Sequence, residues 1–248
     1  MANLSTRVSV DTLSAPALAL MRQGYAAMQA ISDERGFNEI AGIHGIPGHF
    51  CHKVDILFLP WHRAYLYHFE QYLRDRVSGT CIPWWDWTSA SSHKVGIPKA
   101  FSDAKDSDGK PNPLLKFHAS FPKQGLNGDT TRAPHAPGDL PTSEDVNQVL
   151  GLTDYRDFSE QLEGIHNNVH MWVAGSMGVI ATAAFDPIFY SHHAMIDRLW
   201  YIWQIQNGIN NIPHQLLART LAPFNMKVSD VLDISKLGYQ YAVSHISG

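Results

Sequence analysis

Residues 163–203 read EGIHNNVHMWVAGSMGVIATAAFDPIFYSHHAMIDRLWYIW. His166 and His170 stand four residues apart, a spacing that places both imidazoles on one face of a helix. Asp186-Pro187-Ile188-Phe189 then reverses the chain, and a helix starting near Ser191 can return a third imidazole, from the pair His192-His193, to the same point. Three neutral nitrogens converging on one point describe a metal site. Paired histidines also occur by chance on polar helix faces, so the motif gains weight only from a second histidine group upstream. A metalloprotease helix would read H-E-x-x-H with the Glu as base. Asn167 holds that position here, which argues against a zinc hydrolase.

The upstream group lies in FNEIAGIHGIPGHFCHKVDILFLPWHRAYLYHFEQYLRDRV, residues 37–77. His44 sits in a Gly-rich segment, His49 and His52 follow Pro47, and His62 opens a run predicted to be helical over 60–77. Tyr65, Leu66, Phe69, Tyr72 and Leu73 keep the helical period there. A histidine at a helix start and others on the irregular segment before it can converge on a metal without straining the helix.

The remaining chain frames these two groups. Ser14-Ala15-Pro16 predicts a capped helix over about 15–32. Gly79 ends the helix of His62, and IPWWDW brings Trp84, Trp85 and Trp87, read as packing residues beneath the site. Residues 89–145 are rich in Gly, Pro, Asp and Ser and predict long loops with one short helix near Leu114, in which His93, His118 and His135 are surface residues. A helix opens at Thr142 or Ser143, and Gly208 closes the last long one.

Of the 248 residues, 17% are charged and 44% hydrophobic, with a net charge of −4, which offers no basic surface for nucleic acid. No run approaches the roughly 18 apolar residues of a membrane span, and the amino terminus lacks the apolar core of a signal peptide, so a cytoplasmic protein is expected. Fourteen histidines against two cysteines invite a metal. Cys51 and Cys81 make a poor disulfide framework and read as buried thiols.

Six histidines in two groups of three imply two neutral tris-imidazole sites. Imidazole suits Zn, Cu, Fe and Ni, and first shells without carboxylate or thiolate argue against Mg, Ca and iron–sulfur centres. Copper fits best, because two cuprous ions a few ångströms apart can jointly reduce dioxygen. The residues also carry a family resemblance. FLPWHRAYLYHFE (residues 58–70) resembles the CuA helix of type 3 copper proteins, the tyrosinase, catechol oxidase and haemocyanin family. IPWWDW resembles that family's tryptophan motif, and EGIHNNVH with DPIFYSHHAMIDRLW its CuB signature. Arg7 and Tyr239-Gln240-Tyr241 resemble the marks that bracket its catalytic core, so the likeness covers nearly the whole chain.

This resemblance implies a mainly α fold, a four-helix bundle around a dicopper centre with long irregular loops, in a single domain over 1–248. It implies CuB ligands His166, His170 and His193, the last preferred to His192 because it is the eighth residue from the Asp of DPIFYSHH. It implies CuA ligands His44, His52 and His62. The family's usual spacing for the second of these falls on Lys53, so His52 requires a one-residue bulge and His49 is the alternative. Cys51 adjoins His52, whereas the cysteine that is crosslinked to a ligand in some relatives stands two residues before it. Asp197 is a candidate carboxylate for orienting an imidazole, with a surface pair to Arg198 as the alternative.

In tyrosinases a Glu and an Asn placed like Glu163 and Asn167 hold a water that takes the phenolic proton. Met171 and Ile180 would flank the substrate entrance. The expected activity is ortho-hydroxylation of monophenols and oxidation of o-diphenols to o-quinones by O2, with a phenolic small molecule as the partner. A diphenol-only catechol oxidase and a haemocyanin-like reversible O2 carrier are the alternatives. A structural zinc protein would leave Glu163, Asn167 and the aromatic motifs without a reason. Relatives with a carboxy-terminal lid can be latent; this sequence stops soon after Tyr241, so activity without unmasking is expected once copper is bound.

Overall fold

The computed structural model describes residues 4–46, 51 and 55–242. Strand β1 (Ser5–Arg7) leads to α1 (Ala15–Gln29), whose cap Ser14 accepts a hydrogen bond from the Ala17 amide. Helices α2 (Phe37–Gly45) and α3 (Phe58–Arg76) follow. Residues 89–145 hold α4 (Ala90–Val95), α5 (Lys99–Ser102) and a hairpin of β2 (His118–Phe121) and β3 (Leu126–Asp129). Then come α6 (Ser143–Leu150), α7 (Tyr155–Val173), the short α8 (Ile180–Ala183) and α9 (Ile188–Asn207). The chain closes with hairpin strands β4 (Thr220–Leu221) and β5 (Met226–Lys227), α10 (Val228–Val231) and β6 (Tyr239–Tyr241), which pairs in parallel with β1.

The long helices match the sequence reading to within a few residues, and three corrections have clear physical causes. Helix α2 hides in its glycines. Phe37, Ile40, Ala41 and His44 keep the helical period and are buried, but Gly42 and Gly45 obscure it. Gly45 is there for close approach: a Cβ on it would meet the Ile180 carbonyl oxygen at 2.6 Å. Helix α9 begins at Ile188 rather than near Ser191, because the Asp186 carboxylate accepts from the Ile188 amide at 3.1 Å and starts the helix early.

Residues 89–145 are more ordered than loops, and the helix predicted near Leu114 is a turn. Polar side chains hold this region down. Asn112 donates to the carbonyls of Ala100 and Asp103 at 2.9 and 2.8 Å. Arg132 grips both oxygens of Asp186 and donates to the carbonyls of Phe101 and Leu114. His118 and His135 are exposed and His93 is half-buried, none of them near the two histidine groups.

Helix α3 packs against α1, α7 and α9, and α2 packs against α1 and α8. Every residue of α9 from 188 to 200 is buried, so this helix runs through the centre of the core and carries Ser191, His192, His193, Asp197 and Arg198 in with its apolar residues. Trp84, Trp85 and Trp87 are buried as expected. No described helix is long and apolar enough to cross a membrane.

Asp197 neither orients an imidazole nor forms a surface pair. It is buried, and its carboxylate meets Arg63 at 2.5 Å, Arg7 at 3.2 Å, and the hydroxyls of Tyr239 and Tyr241 at 2.7 and 2.6 Å. Burial alone would raise this carboxyl's pKa, and Arg63 and Arg7 hold it below the ordinary value. Glu70 completes the hub, accepting from Arg7 at 2.9 Å and pairing with Arg74. Arg63 also donates to Gln204 and the carbonyls of Val231 and Leu232, and its guanidinium lies 3.6 Å from the Trp200 ring centroid. Arg198 is likewise buried, over Trp84.

Removing one charge from such a hub leaves the opposite ones buried without compensation, a loss of about 3–5 kcal/mol. Asp197→Asn should therefore lower the melting temperature of the copper-free chain by about 6–20 °C at the roughly 2–4 °C per kcal/mol of a chain this size. A shift under about 2 °C would show that the hub is not what clamps the termini. A second site stores strain. Ala174, at the end of α7, adopts φ 52°, ψ −158°, a conformation suited to glycine, and such residues cost about 1–3 kcal/mol. Ala174→Gly should raise stability by about 1 kcal/mol after the unfolded-state entropy of glycine is subtracted, read as a higher denaturation midpoint at unchanged slope.

Candidate metal centre

Asp154 caps α7 by accepting from the amides of Arg156 and Asp157 at 2.8 and 3.1 Å. The helix then sets two parallel stripes. His166 and His170, one turn apart, are buried and face inward, while Glu163, Asn167 and Met171, also at four-residue spacing, run along the outer edge. From α9, His193 brings its Nε2 to 3.1 Å from His166 Nε2 and 3.3 Å from His170 Nε2. Imidazole nitrogens bound at about 2.0–2.1 Å to one first-row ion lie about 3.3–3.6 Å from one another, so the triangle already has nearly the size a metal requires.

Four of the rings are turned by their other nitrogen. His170 Nδ1 donates to the Met177 carbonyl at 2.7 Å and His166 Nδ1 to Asn167 Oδ1 at 3.1 Å. In the upstream group His62 Nδ1 donates to the Phe58 carbonyl at 2.9 Å, and His44 Nδ1 to the Ile180 carbonyl at 3.1 Å. A carbonyl can only accept, so Nδ1 carries the proton in all four and Nε2 is left as the lone-pair nitrogen a metal needs. Phe58 and Phe189 wedge the rings: Phe58 lies 4.9 and 4.8 Å from His62 and His166, and Phe189 4.8 and 4.0 Å from His44 and His193.

The two groups adjoin. The His62 and His193 rings stack with centroids 4.3 Å apart. Among the described residues the first group is His166, His170, His192 and His193, and the second is His44, Cys51 and His62, with the donor atoms of each within 4.8 Å of one another. His49 and His52 lie outside the described residues. His192 joins the first cluster, its ring stacked on His166 at 5.1 Å, but it is the Nε2 of His193 that completes the triangle. His193 Nδ1 has no hydrogen-bond partner among the described residues, which confirms that Asp197 does not hold it. Burial, then neighbouring imidazoles, depresses the pKa of His192 and His193 well below the usual histidine value, keeping both neutral as ligands must be.

A cavity of about 380 Å³ opens over the histidines, lined by His44, His166 and His170, by Glu163 and Asn167, and by Met171, Met177 and Ile180 among its apolar wall. Met171 and Ile180 are 61% and 43% exposed at its mouth. All the residues expected around the substrate thus meet in one place. The carbonyl anchors of Met177 and Ile180 have no counterpart in the sequence reading, whereas His192 lies in the cluster beside His193 and Cys51 is buried as expected. Backbone acceptors leave no side-chain signature; for Met177 the only trace is the Ala174-Gly175 turn that swings its carbonyl back to His170. Gly175 makes that turn at φ 56°, where a Cβ would meet the Thr131 carbonyl oxygen at 2.3 Å.

Comparison with known proteins agrees with this geometry. Residues 34–206 match the model of the tyrosinase family, described as the common central domain of tyrosinase. The chain is 31% identical over 285 residues to Hemocyanin 2 of Megathura crenulata, covering 97% of this chain and 8% of that one. It is 30% identical over 276 residues to the A-type hemocyanin, units Ode to Odg, of Enteroctopus dofleini, covering 95% of this chain and 21% of that one. The chain thus spans about a fifth of one of these long relatives and less than a tenth of the other. Among solved structures, a functional unit of octopus hemocyanin superposes with a TM-score of 0.83 at 29% identity over 95% of this chain and 67% of that one. A tyrosinase from Burkholderia thailandensis shares the fold, with a TM-score of 0.83 at 23% identity over 98% of this chain and 74% of that one. The chain belongs to the tyrosinase and haemocyanin family of type 3 copper proteins, which bind two copper ions, and its two histidine-rich clusters fit two metal sites.

Proposed function

We propose that this chain is a dicopper phenol oxidase, hydroxylating monophenols at the ortho position and oxidising o-diphenols to o-quinones. His166, His170 and His193 hold CuB; His44 and His62 hold CuA with a third donor from residues 49–52. Bound copper supplies the capture and reduction of dioxygen. The observation that carries the reading is the cavity: at about 380 Å³ it falls within the range of small-molecule sites, and it leads from solvent to His44, His166 and His170. A phenol ring can rest against Met171, Met177 and Ile180 with its hydroxyl toward the histidines. Glu163, in the same wall, takes the phenolic proton through one water. Asn167 accepts from His166 Nδ1, so it fixes a ligand's tautomer while facing the substrate.

A second reading, reversible oxygen carriage, draws support from the haemocyanins among the relatives. Oxygen uptake by the copper-loaded chain separates the two. Two coppers per chain with uptake on both a monophenol and a catechol are expected; uptake on catechol alone would make it a catechol oxidase, and reversible oxygen binding without turnover a carrier. In the oxidase, Glu163→Gln should cut monophenol turnover by about a hundredfold, within the range of general base catalysis, and diphenol turnover much less, with copper content unchanged. An equal loss on both substrates would remove Glu163 from the proton-transfer role.

A further inference from the structure

Cys51 is the member of the CuA group for which the phenol chemistry has no use. It is 2% exposed, and it is not in a disulfide. Burial alone says little, since cysteine is among the most buried residue types. Its position says more. The donor atoms of His44, Cys51 and His62 lie within 4.8 Å of one another, a bound that the four-histidine group opposite also meets. Both imidazoles are held by Nδ1 hydrogen bonds, to the Ile180 and Phe58 carbonyls, which leaves Nε2 of each as the donor nitrogen. Two oriented nitrogens and a thiol sulfur thus meet at the point where the upstream metal belongs.

We propose that Cys51 is a copper donor at the CuA position, forming with His44 and His62 a mixed sulfur–nitrogen set selective for cuprous ion. Thiolate is a soft ligand and favours Cu(I) over harder ions. The thiol gives its proton to solvent, the sulfur lone pair forms the bond to the metal, and no electron changes hands. The two copper positions then differ in character: CuB is a neutral tris-imidazole site and CuA carries one negative ligand. This assignment rests on the two-copper centre and holds whether that centre oxidises phenols or carries oxygen.

The chain contains two cysteines, which makes the test direct. Full-length chain stripped of copper is titrated with cobalt(II) as a spectroscopic probe, and separately with cuprous ion against a chromophoric chelator. The Cys81→Ser variant should show a near-ultraviolet sulfur-to-cobalt charge-transfer band, which Cys51 alone can then supply. Cys51→Ser should lose the band and bind one of its two cuprous ions at least about tenfold more weakly, with the other unchanged. Absence of the band in both the wild-type and Cys81→Ser chains would overturn the assignment, leaving Cys51 a core thiol and a histidine of 49–52 as the third donor. A mass two hydrogens below that of the sequence, persisting under reduction in the Cys81→Ser chain, would also overturn it, since the sulfur would be committed to a covalent crosslink. Because the band is read on wild-type and Cys81→Ser protein, the result stands even if Cys51→Ser fails to fold.

Discussion

The contact on which the rest depends is the buried carboxylate of Asp197 against the guanidinium of Arg63, at 2.5 Å. Arg63 directly follows His62 on α3, and Asp197 stands one turn beyond His193 on α9. Fixing this pair fixes how far the two helices slide past each other, and so sets the stacking of the His62 and His193 rings that joins the two metal positions. Burying charges is expensive unless their hydrogen-bonding capacity is met. The hub answers that demand by recruiting Arg7 from β1, Tyr239 and Tyr241 from β6, and Glu70 from α3. The ends of the described chain are thus tied to the middle through charge, and the parallel β1–β6 pairing follows from the same demand.

A consequence is that the site's rigidity comes from outside the site. The imidazoles are crowded against one another, and their mutual contacts alone would not hold the helices together. The apolar core supplies the bulk of the packing, while the hub supplies register. Arg132 and Asp186 perform the same service at the other end of α9, pinning the irregular segment to the helix start. The sequence between α3 and α6 looks like solvent-facing loop because its order depends on a few polar anchors, Asn112 and Arg132, rather than on hydrophobic period.

What could be read from the sequence, and what could not, divides along this line. Long amphipathic helices and the four-residue histidine spacing were legible because both are local patterns. The glycines of α2 hid a helix, since their purpose, admitting the Ile180 backbone, exists only in three dimensions. Asp197 stands one turn from His193, a distance that suggests an imidazole partner, whereas its charged partners Arg63 and Arg7 lie 134 and 190 residues away. Glu163, Asn167, Met171 and Ile180 do gather around one cavity, as their positions relative to the histidines implied.

The mouth of that cavity and the orientation of the metal ligands are the same piece of structure. Residues 174–183 present Met177, Gly178, Ile180 and Ala183 to the cavity, and through the Met177 and Ile180 carbonyls they also hold His170 and His44. Because the anchors are backbone atoms, side chains here can change without loosening a ligand, and the shape of the entrance is open to variation at little cost to copper. A change in the length or path of the segment is a different matter. It would move the carbonyls, free two Nδ1–H groups and let two imidazoles on opposite sides of the centre rotate. The strained backbone at Ala174 and the tight turn at Gly175 set that path, so the conformation that is unfavourable locally is the one that makes a variable entrance compatible with a constant metal centre.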